Sequence, residues 1–156
     1  MSGGARILVD ADACPVKDEI YTVAWRHSVP VTVVSNAFLR VPAHPLIERV
    51  TVSDGFDAAD DWIAERTDDR SVVITADILL ADRCLKAGGM VLSPTGKPFT
   101  TSSIGGAIAT RAIMADLRAG GAQLGGPAPF SKADRSRFLQ ALDTALVRLA
   151  RMPAKG

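Results

Sequence analysis

Apolar and polar positions fall in blocks along this chain, and the length and phase of each block separate strands from helices. Ala5 to Asp10 holds the run Ile7-Leu8-Val9, short, continuously apolar and rich in β-branching, which predicts a strand buried on both faces and ending in an acid. Pro15 suits the first position of a helix, where its missing N–H has no intrahelical partner to lose, and that helix is expected to run to about His27. Val31 to Ser35 reads as a second strand, Asn36 to Pro45 as a loop and Ile47 to Val52 as a third strand. A helix over Phe56 to Arg66, a strand over Ser71 to Thr75, a helix over Ile78 to Ala87 closed by Gly88-Gly89, and a short strand over Met90 to Leu92 complete the alternation. From Thr100 the pattern turns helical, with Ile104, Ile108, Ile113 and Leu117 marking an apolar stripe that stops at Gly120-Gly121. A loop with Gly125-Gly126-Pro127 then leads to a last helix opened by the capping box Ser131-x-x-Asp134.

Strands alternating with helices predict an α/β fold, three layers deep (α/β/α), around a mainly parallel sheet of about five strands with C-terminal helices added. No linker, repeat or low-complexity tract divides residues 1–156, so one domain is expected, with a helical C-terminal extension over about 100–152. At 47% hydrophobic and 22% charged residues the chain is neither disordered nor collagen-like. A chain of this length buries roughly 70% of its unfolded surface, enough for a core without disulfides or a structural metal. Cys14 and Cys84 are too few and too far apart for a disulfide scaffold or a zinc site. No apolar run approaches the ~18 residues that span a bilayer, and no basic segment and apolar stretch open the chain, so a cytoplasmic protein with no membrane partner is expected. The oligomeric state is left open.

Charge changes the picture. The formal net charge of +1 conceals a division at Asp82, since residues 1–82 carry 7 Lys and Arg against 14 Asp and Glu, and residues 83–156 carry 11 against 3. Such a dipolar chain suits a protein that holds a cation with one part and a polyanion with another. Two solvated faces attracting one another on folding would give the same asymmetry.

The acids concentrate where an open parallel sheet binds its ligands, outside the carboxyl ends of the strands. Asp10 closes the first strand, Asp12 follows it, and Asp77 lies two residues beyond Thr75. The helix from Phe56 adds Asp57, Asp60 and Asp61, of which Asp57 and Asp60 are expected to face the site and Asp61 to turn outward. Several carboxylates in one partly buried place repel each other, and a hard divalent ion relieves that cost. Mg²⁺ or Mn²⁺ is therefore the expected cofactor, held among Asp10, Asp12, Asp57, Asp60 and Asp77, where it could activate water and neutralise phosphate charge. The alternative is that each Asp only caps or opens a helix, which suits Asp57 and Asp77 individually. Cys14, ahead of a helix, could be a nucleophile, but neighbouring acids would raise its pKa and packing is the simpler role. His27 and His44 are not spaced as a ligand pair, and Trp25 and Trp62 sit at helical periods that suggest packing.

Asp10-Ala11-Asp12-Ala13-Cys14-Pro15, Gly55-Phe56-Asp57-x-Ala59-Asp60 and Ile74-Thr75-Ala76-Asp77 with Leu80-Ala81 together resemble the bacterial YaiI/YqxD family. The likeness continues through Asn36, Leu39-Arg40-Val41-Pro42, Arg111, Leu117-Arg118, Gly125-Gly126-Pro127 and Asp134-Arg135, nearly the whole chain. That family looks related to PIN-like and NYN nuclease domains, whose acids follow the first strand, sit on a middle helix and follow the fourth strand. The resemblance implies catalytic roles for Asp10, Asp12 and Asp77, with Asp57 and Asp60 as further metal ligands. Leu79 stands where many PIN-like nucleases carry another acid, and Asp82, five residues beyond Asp77, would point roughly 140° away from Asp77, which argues against a two-metal site.

Three functions compete. The first is a metal-dependent phosphodiesterase acting on RNA, with Asn36, Arg40, Arg111, Arg118 and Lys132 contacting the substrate. The second is a phosphatase resembling the haloacid dehalogenase superfamily, with Asp10 as nucleophile and Asp12 as acid, although Lys97 follows Asp77 where that superfamily's lysine precedes its last acidic motif. The third is a module that binds nucleic acid or a nucleotide without cleaving it.

Overall fold

The computed structural model describes residues 4–12, 14–53, 55, 57–121 and 130–152. Strand β1 (Arg6–Asp10) lies between two parallel neighbours, β2 (Val31–Ser35) and β4 (Ser71–Ile74), so Ile7, Leu8 and Val9 are all buried, as a continuous apolar run requires. Beyond β2 lies β3 (Ile47–Thr51) and beyond β4 lies β5 (Met90–Leu92), both parallel to their neighbours. A sixth strand, β6 (Pro98–Phe99), pairs antiparallel with β5, giving the order β3-β2-β1-β4-β5-β6. The sequence suggested about five strands; two residues that include a proline carry no readable period, and Pro98 is tolerated because β6 is the sheet edge. The turn that folds β6 back is closed by the Ser93 N–H donating to the Lys97 carbonyl at 2.9 Å, with Gly96 at φ 86°.

Side-chain alternation divides the core into two layers. Ile7 and Val9 pack under α1 (Lys17–His27) and α5 (Lys132–Arg151), against Ile20, Val23, Phe138, Leu142 and Leu146. Leu8, one residue out of phase, packs on the other face against α2 (Ala58–Arg66) and α3 (Ile78–Lys86), through Ile63, Leu80 and Cys84. Ile104 of α4 (Ile104–Ala119) belongs to that second layer. The protein is therefore a three-layer α/β/α fold, and α5 is one of its covering helices, with Phe138, Leu142 and Leu149 wholly buried. Both halves of its capping box form: Ser131 Oγ accepts from the Asp134 N–H at 3.1 Å, and the Asp134 carboxylate accepts from the Ser131 N–H at 3.0 Å.

Four expectations change. The first helix starts at Lys17, since Pro15 and Val16 form the turn before it, and α2 starts at Ala58 with Asp57 outside it. The stripe on α4 is not one face: Ile108 to Ile113 is a step of five residues, which turns the side chain about 140° around the axis. Ile104 is buried and Ile108 partly so, whereas Ile113 and Leu117 are exposed. Trp25 is also exposed, stacked on Tyr21 and tilted against His44 rather than in the core. The Gly125-Gly126-Pro127 loop lies outside the described residues. Among the described residues, no helix is long and apolar enough to cross a membrane.

The strand order reverses between β1 and β4, because the chain leaves β1 toward β2 and leaves β4 toward β5. In open α/β sheets that reversal opens a crevice at the strands' carboxyl ends.

Candidate functional site

At this crevice the sequence places Asp10, the last residue of β1, and Thr75, the first residue after β4. Their strands are hydrogen-bonded neighbours, so the buried Thr75 hydroxyl donates to Asp10 Oδ2 at 2.7 Å. The same Oγ1 accepts the Asp77 backbone N–H at 3.0 Å, tying the start of α3 to the first acid. Asp77 is the N-cap of α3, its Oδ1 accepting from the N–H groups of Leu79 at 2.9 Å and Leu80 at 3.3 Å. Capping occupies one oxygen, Oδ1, and leaves Oδ2 out of the cap, so the capping role does not exclude a ligand at Asp77. Asp12 is held from the neighbouring loop: the Asn36 N–H donates to Asp12 Oδ2 at 3.1 Å, while Asn36 Nδ2 donates to the Ser53 carbonyl at 2.9 Å.

The middle helix supplies Asp60 from its first turn, half-buried and near enough to Asp77 to feel its charge. Burial above all, then the charges of Asp77, Asp10 and Asp57, push the Asp60 carboxyl up to about 6. Asp10 is also raised, chiefly by burial, with the Thr75 hydroxyl working against the shift and Asp77 and Asp12 adding to it. Asp57 is exposed in the left-handed region at φ 65°, and its side chain does not cap α2, so the expected capping role is not filled. That conformation costs a non-glycine residue of order 1 kcal/mol and is least costly for Asn and Asp. Asp61 turns outward to pair with Arg83 at 2.8 Å, and Asp82 pairs with Lys86 on its own helix.

Among the described residues no lysine, arginine or histidine forms an ion pair with Asp10, Asp12, Asp57, Asp60 or Asp77. Their donors are all oxygen, the set a hard cation prefers. Among the described residues no three His, Cys, Asp or Glu side chains stand close enough to form a ready-made cage. Mg²⁺ commonly binds through one or two carboxylates and keeps several waters, so a pair such as Asp10 and Asp77 meets its need.

Other candidates fall elsewhere. Arg111 lines a cleft that starts at Ala76 and Ile78, either side of Asp77. Arg40 is exposed in the loop between β2 and β3, Lys132 is exposed in the first turn of α5, and the side chain of Arg118 lies outside the described residues. The Cys14 thiol is buried and pushed up chiefly by that burial, the opposite of an activated nucleophile. His27 bonds Asp143 at 2.6 Å between α1 and α5, and the His44 ring packs at a tilt against Trp25, so neither histidine joins the acids.

Three contributors were missed. Thr75 organises two acids at once, and its signal was the Thr-x-Asp spacing directly after an apolar strand. Arg135 donates to the Pro15 carbonyl at 2.9 Å and to Glu19 at 2.8 Å, fixing the turn after Asp12 from the far end of the sequence. Lys97 lines the same cleft as Arg111.

Comparison with known proteins gives lineage. The model of the uncharacterized YaiI/YqxD family matches residues 8–148. A UPF0178 protein of Sphingopyxis alaskensis is 77% identical over 146 residues, covering 93% of this chain and 95% of its own. Another from Rhodopseudomonas palustris is 62% identical over 149 residues (96% of this chain, 91% of its own), and one from Nitrobacter winogradskyi is 60% identical over 146 (94% and 93%). No solved structure matches the chain.

Proposed function

This chain belongs to the YaiI/YqxD family, and from its acidic crevice we propose that it is a metal-dependent phosphodiesterase that cleaves RNA. One observation carries the reading. Three carboxyls, Asp10 of β1, Asp60 of α2 and Asp77 of the β4–α3 turn, lie at the strand-order reversal without an ion-pair partner among the described residues, and burial first, then the neighbouring acids, pushes Asp60 up to about 6. A bound divalent cation would relieve the repulsion among ionised carboxylates at this edge, and an oxygen-only donor set suits Mg²⁺ or Mn²⁺. When bound, that ion lowers the pKa of water and offsets charge on a phosphate.

The chain's own groups divide the remaining work. Thr75 orients Asp10 and sets its distance from Asp77, so the principal pair is held by a buried hydroxyl rather than by flexible side chains. Asn36 holds Asp12 through its backbone N–H, and its side-chain amide is engaged by Ser53, which makes it a positioning residue here. Asp60, pushed up to about 6 by burial and the neighbouring acids, gives up its proton as pH rises through that value, close to the range wanted of a group that exchanges protons with a leaving oxygen. The resemblance to PIN-like nucleases supports the same roles for Asp10, Asp12 and Asp77.

The test is hydrolysis of end-labelled single-stranded RNA and DNA with Mg²⁺, with Mn²⁺ and with chelator. Metal-dependent cleavage that Asp77→Asn abolishes supports the proposal. Metal-independent cleavage, or none on either polymer, overturns it, and the latter favours a module that binds without cutting.

A further inference from the structure

Beside the acids runs a cleft of about 910 Å³, at the upper end of the size of small-molecule sites. Its near wall is the β4–α3 turn itself, since Ala76 and Ile78 line it on either side of Asp77, and Pro15 closes it next to the β1 loop. Its far wall is one face of α4. Ser103, Ala107, Thr110 and Met114 are spaced four, three and four residues apart, so they stand in one row along that helix, flanked by Gly106 and Arg111.

Its chemistry is mixed in a specific way. Phe99 offers aromatic surface from β6, Phe130, with the Arg135 guanidinium 4.9 Å over its ring, lines the cleft just before α5's cap, and Lys97 and Arg111 bring two cations from the β5–β6 turn and from α4. Neither cation forms an ion pair among the described residues. The room is not a by-product of tight packing at α4: a Cβ on Gly106 would meet nothing within 4 Å, so no neighbour requires glycine there. Aromatic faces beside paired cations are the features that bind an unstacked base and its phosphates, whereas a duplex presents its bases stacked and inaccessible to such a cleft.

We infer that this cleft holds one unstacked nucleotide of a single strand, its base against Phe99 and Phe130 and its phosphates between Lys97 and Arg111, with the chain continuing past Asp77. The inference rests on the nuclease reading for what happens at the acids, but the binding it describes can be measured without cleavage. Because Ala76 and Ile78 of the near wall flank Asp77, a strand that leaves the cleft on that side passes the acids.

The two adjacent glycines of α4 provide the experiment. Gly105 also has nothing within 4 Å of its would-be Cβ, but it does not line the cleft. Gly106→Leu and Gly105→Leu therefore raise helix propensity equally and differ in whether they fill the cleft. Binding of a fluorescently labelled 12-nucleotide RNA is followed by anisotropy in chelator, so no cleavage intervenes. Gly106→Leu is expected to weaken binding tenfold or more, with Gly105→Leu close to wild type in binding and melting. Lys97→Ala and Arg111→Ala should each flatten the slope of log affinity against log salt by about 0.7. Equal binding by the two leucine variants, a duplex bound as tightly as the single strand, or no binding by wild type overturns the inference. A nucleoside monophosphate bound as tightly as the strand overturns the strand and leaves a free nucleotide as ligand. The two proposals fail separately: cleft-dependent binding without metal-dependent cleavage sinks the nuclease, and cleavage that Gly106→Leu leaves unaltered sinks the cleft.

Discussion

Replacing Asp60 by Asn isolates the electrostatic cost of the acid cluster. Its carboxyl titrates at about 6 in the folded protein against 3.8 for the unperturbed group. A folded-state value above the unfolded one means that the native state binds the proton more tightly. The stability from this group is complete below about pH 3.8 and is lost as pH rises through about 6. At 1.36 kcal/mol per unit the shift corresponds at face value to about 3 kcal/mol. The side chain keeps much contact with water, so we expect on the order of 1 kcal/mol after screening. Asn keeps the shape and carries no charge. Asp60→Asn should therefore be more stable than wild type by on the order of 1 kcal/mol at pH 7.5 in chelator, a rise in Tm of about 2–4 °C for a chain of this size. Near pH 4 the two proteins should melt alike. Thermal and urea melts at pH 4, 5, 6 and 7.5 read the difference directly. A variant less stable than wild type at pH 7.5, or a gap that does not change with pH, would refute the reasoning.

Further outcomes follow from particular contacts. Thr75→Val keeps the shape but strips Asp10 of its donor and the Asp77 N–H of its acceptor, so it should cost about 1–3 kcal/mol and weaken metal binding about tenfold or more, read by melting and metal titration. Phe138→Ala empties the centre of the α1/α5 layer and should cost about 3–5 kcal/mol in urea denaturation. Gly96→Ala meets both a left-handed backbone, φ 86°, and a Cβ only 2.6 Å from the backbone of Arg137, so it should lower stability by more than about 1 kcal/mol; an unchanged melt would show that the turn before β6 shifts freely.

The sequence is most informative where one physical demand fixes the residue type. Ile7-Leu8-Val9 announces a strand covered on both faces because no other environment buries three consecutive apolar side chains, and Ser131-x-x-Asp134 announces a helix start because both hydrogen bonds are local. Asp10, Asp12 and Asp77 are legible for the same reason, each following a recognisable strand. What escapes depends on distant partners or on phase. Arg135 reads as a surface cation until the fold sets it against Pro15, 120 residues away. Asp57 falls within the apparent helix pattern, and only its left-handed backbone moves it outside. Ile113 shares an apolar label with Ile104 but stands on the opposite side of α4, a distinction carried by the angle and not by the composition. Thr75 is the instructive case: a buried hydroxyl between two acids outranks several charged residues in arranging the site, yet threonine at the end of a strand is unremarkable in a sequence.

The most direct test of the account is to count Mn²⁺ bound at pH 7.5 by electron paramagnetic resonance, in wild type and in Asp10→Asn, Asp77→Asn and Asp61→Asn. The acidic crevice calls for one saturable site in wild type, weakened about tenfold or more by either of the first two substitutions. Asp61→Asn should leave it intact, because that carboxylate is turned away and paired with Arg83. No saturable binding at millimolar Mn²⁺, or equal binding by all four proteins, would contradict the claim that these carboxylates are assembled around a divalent cation.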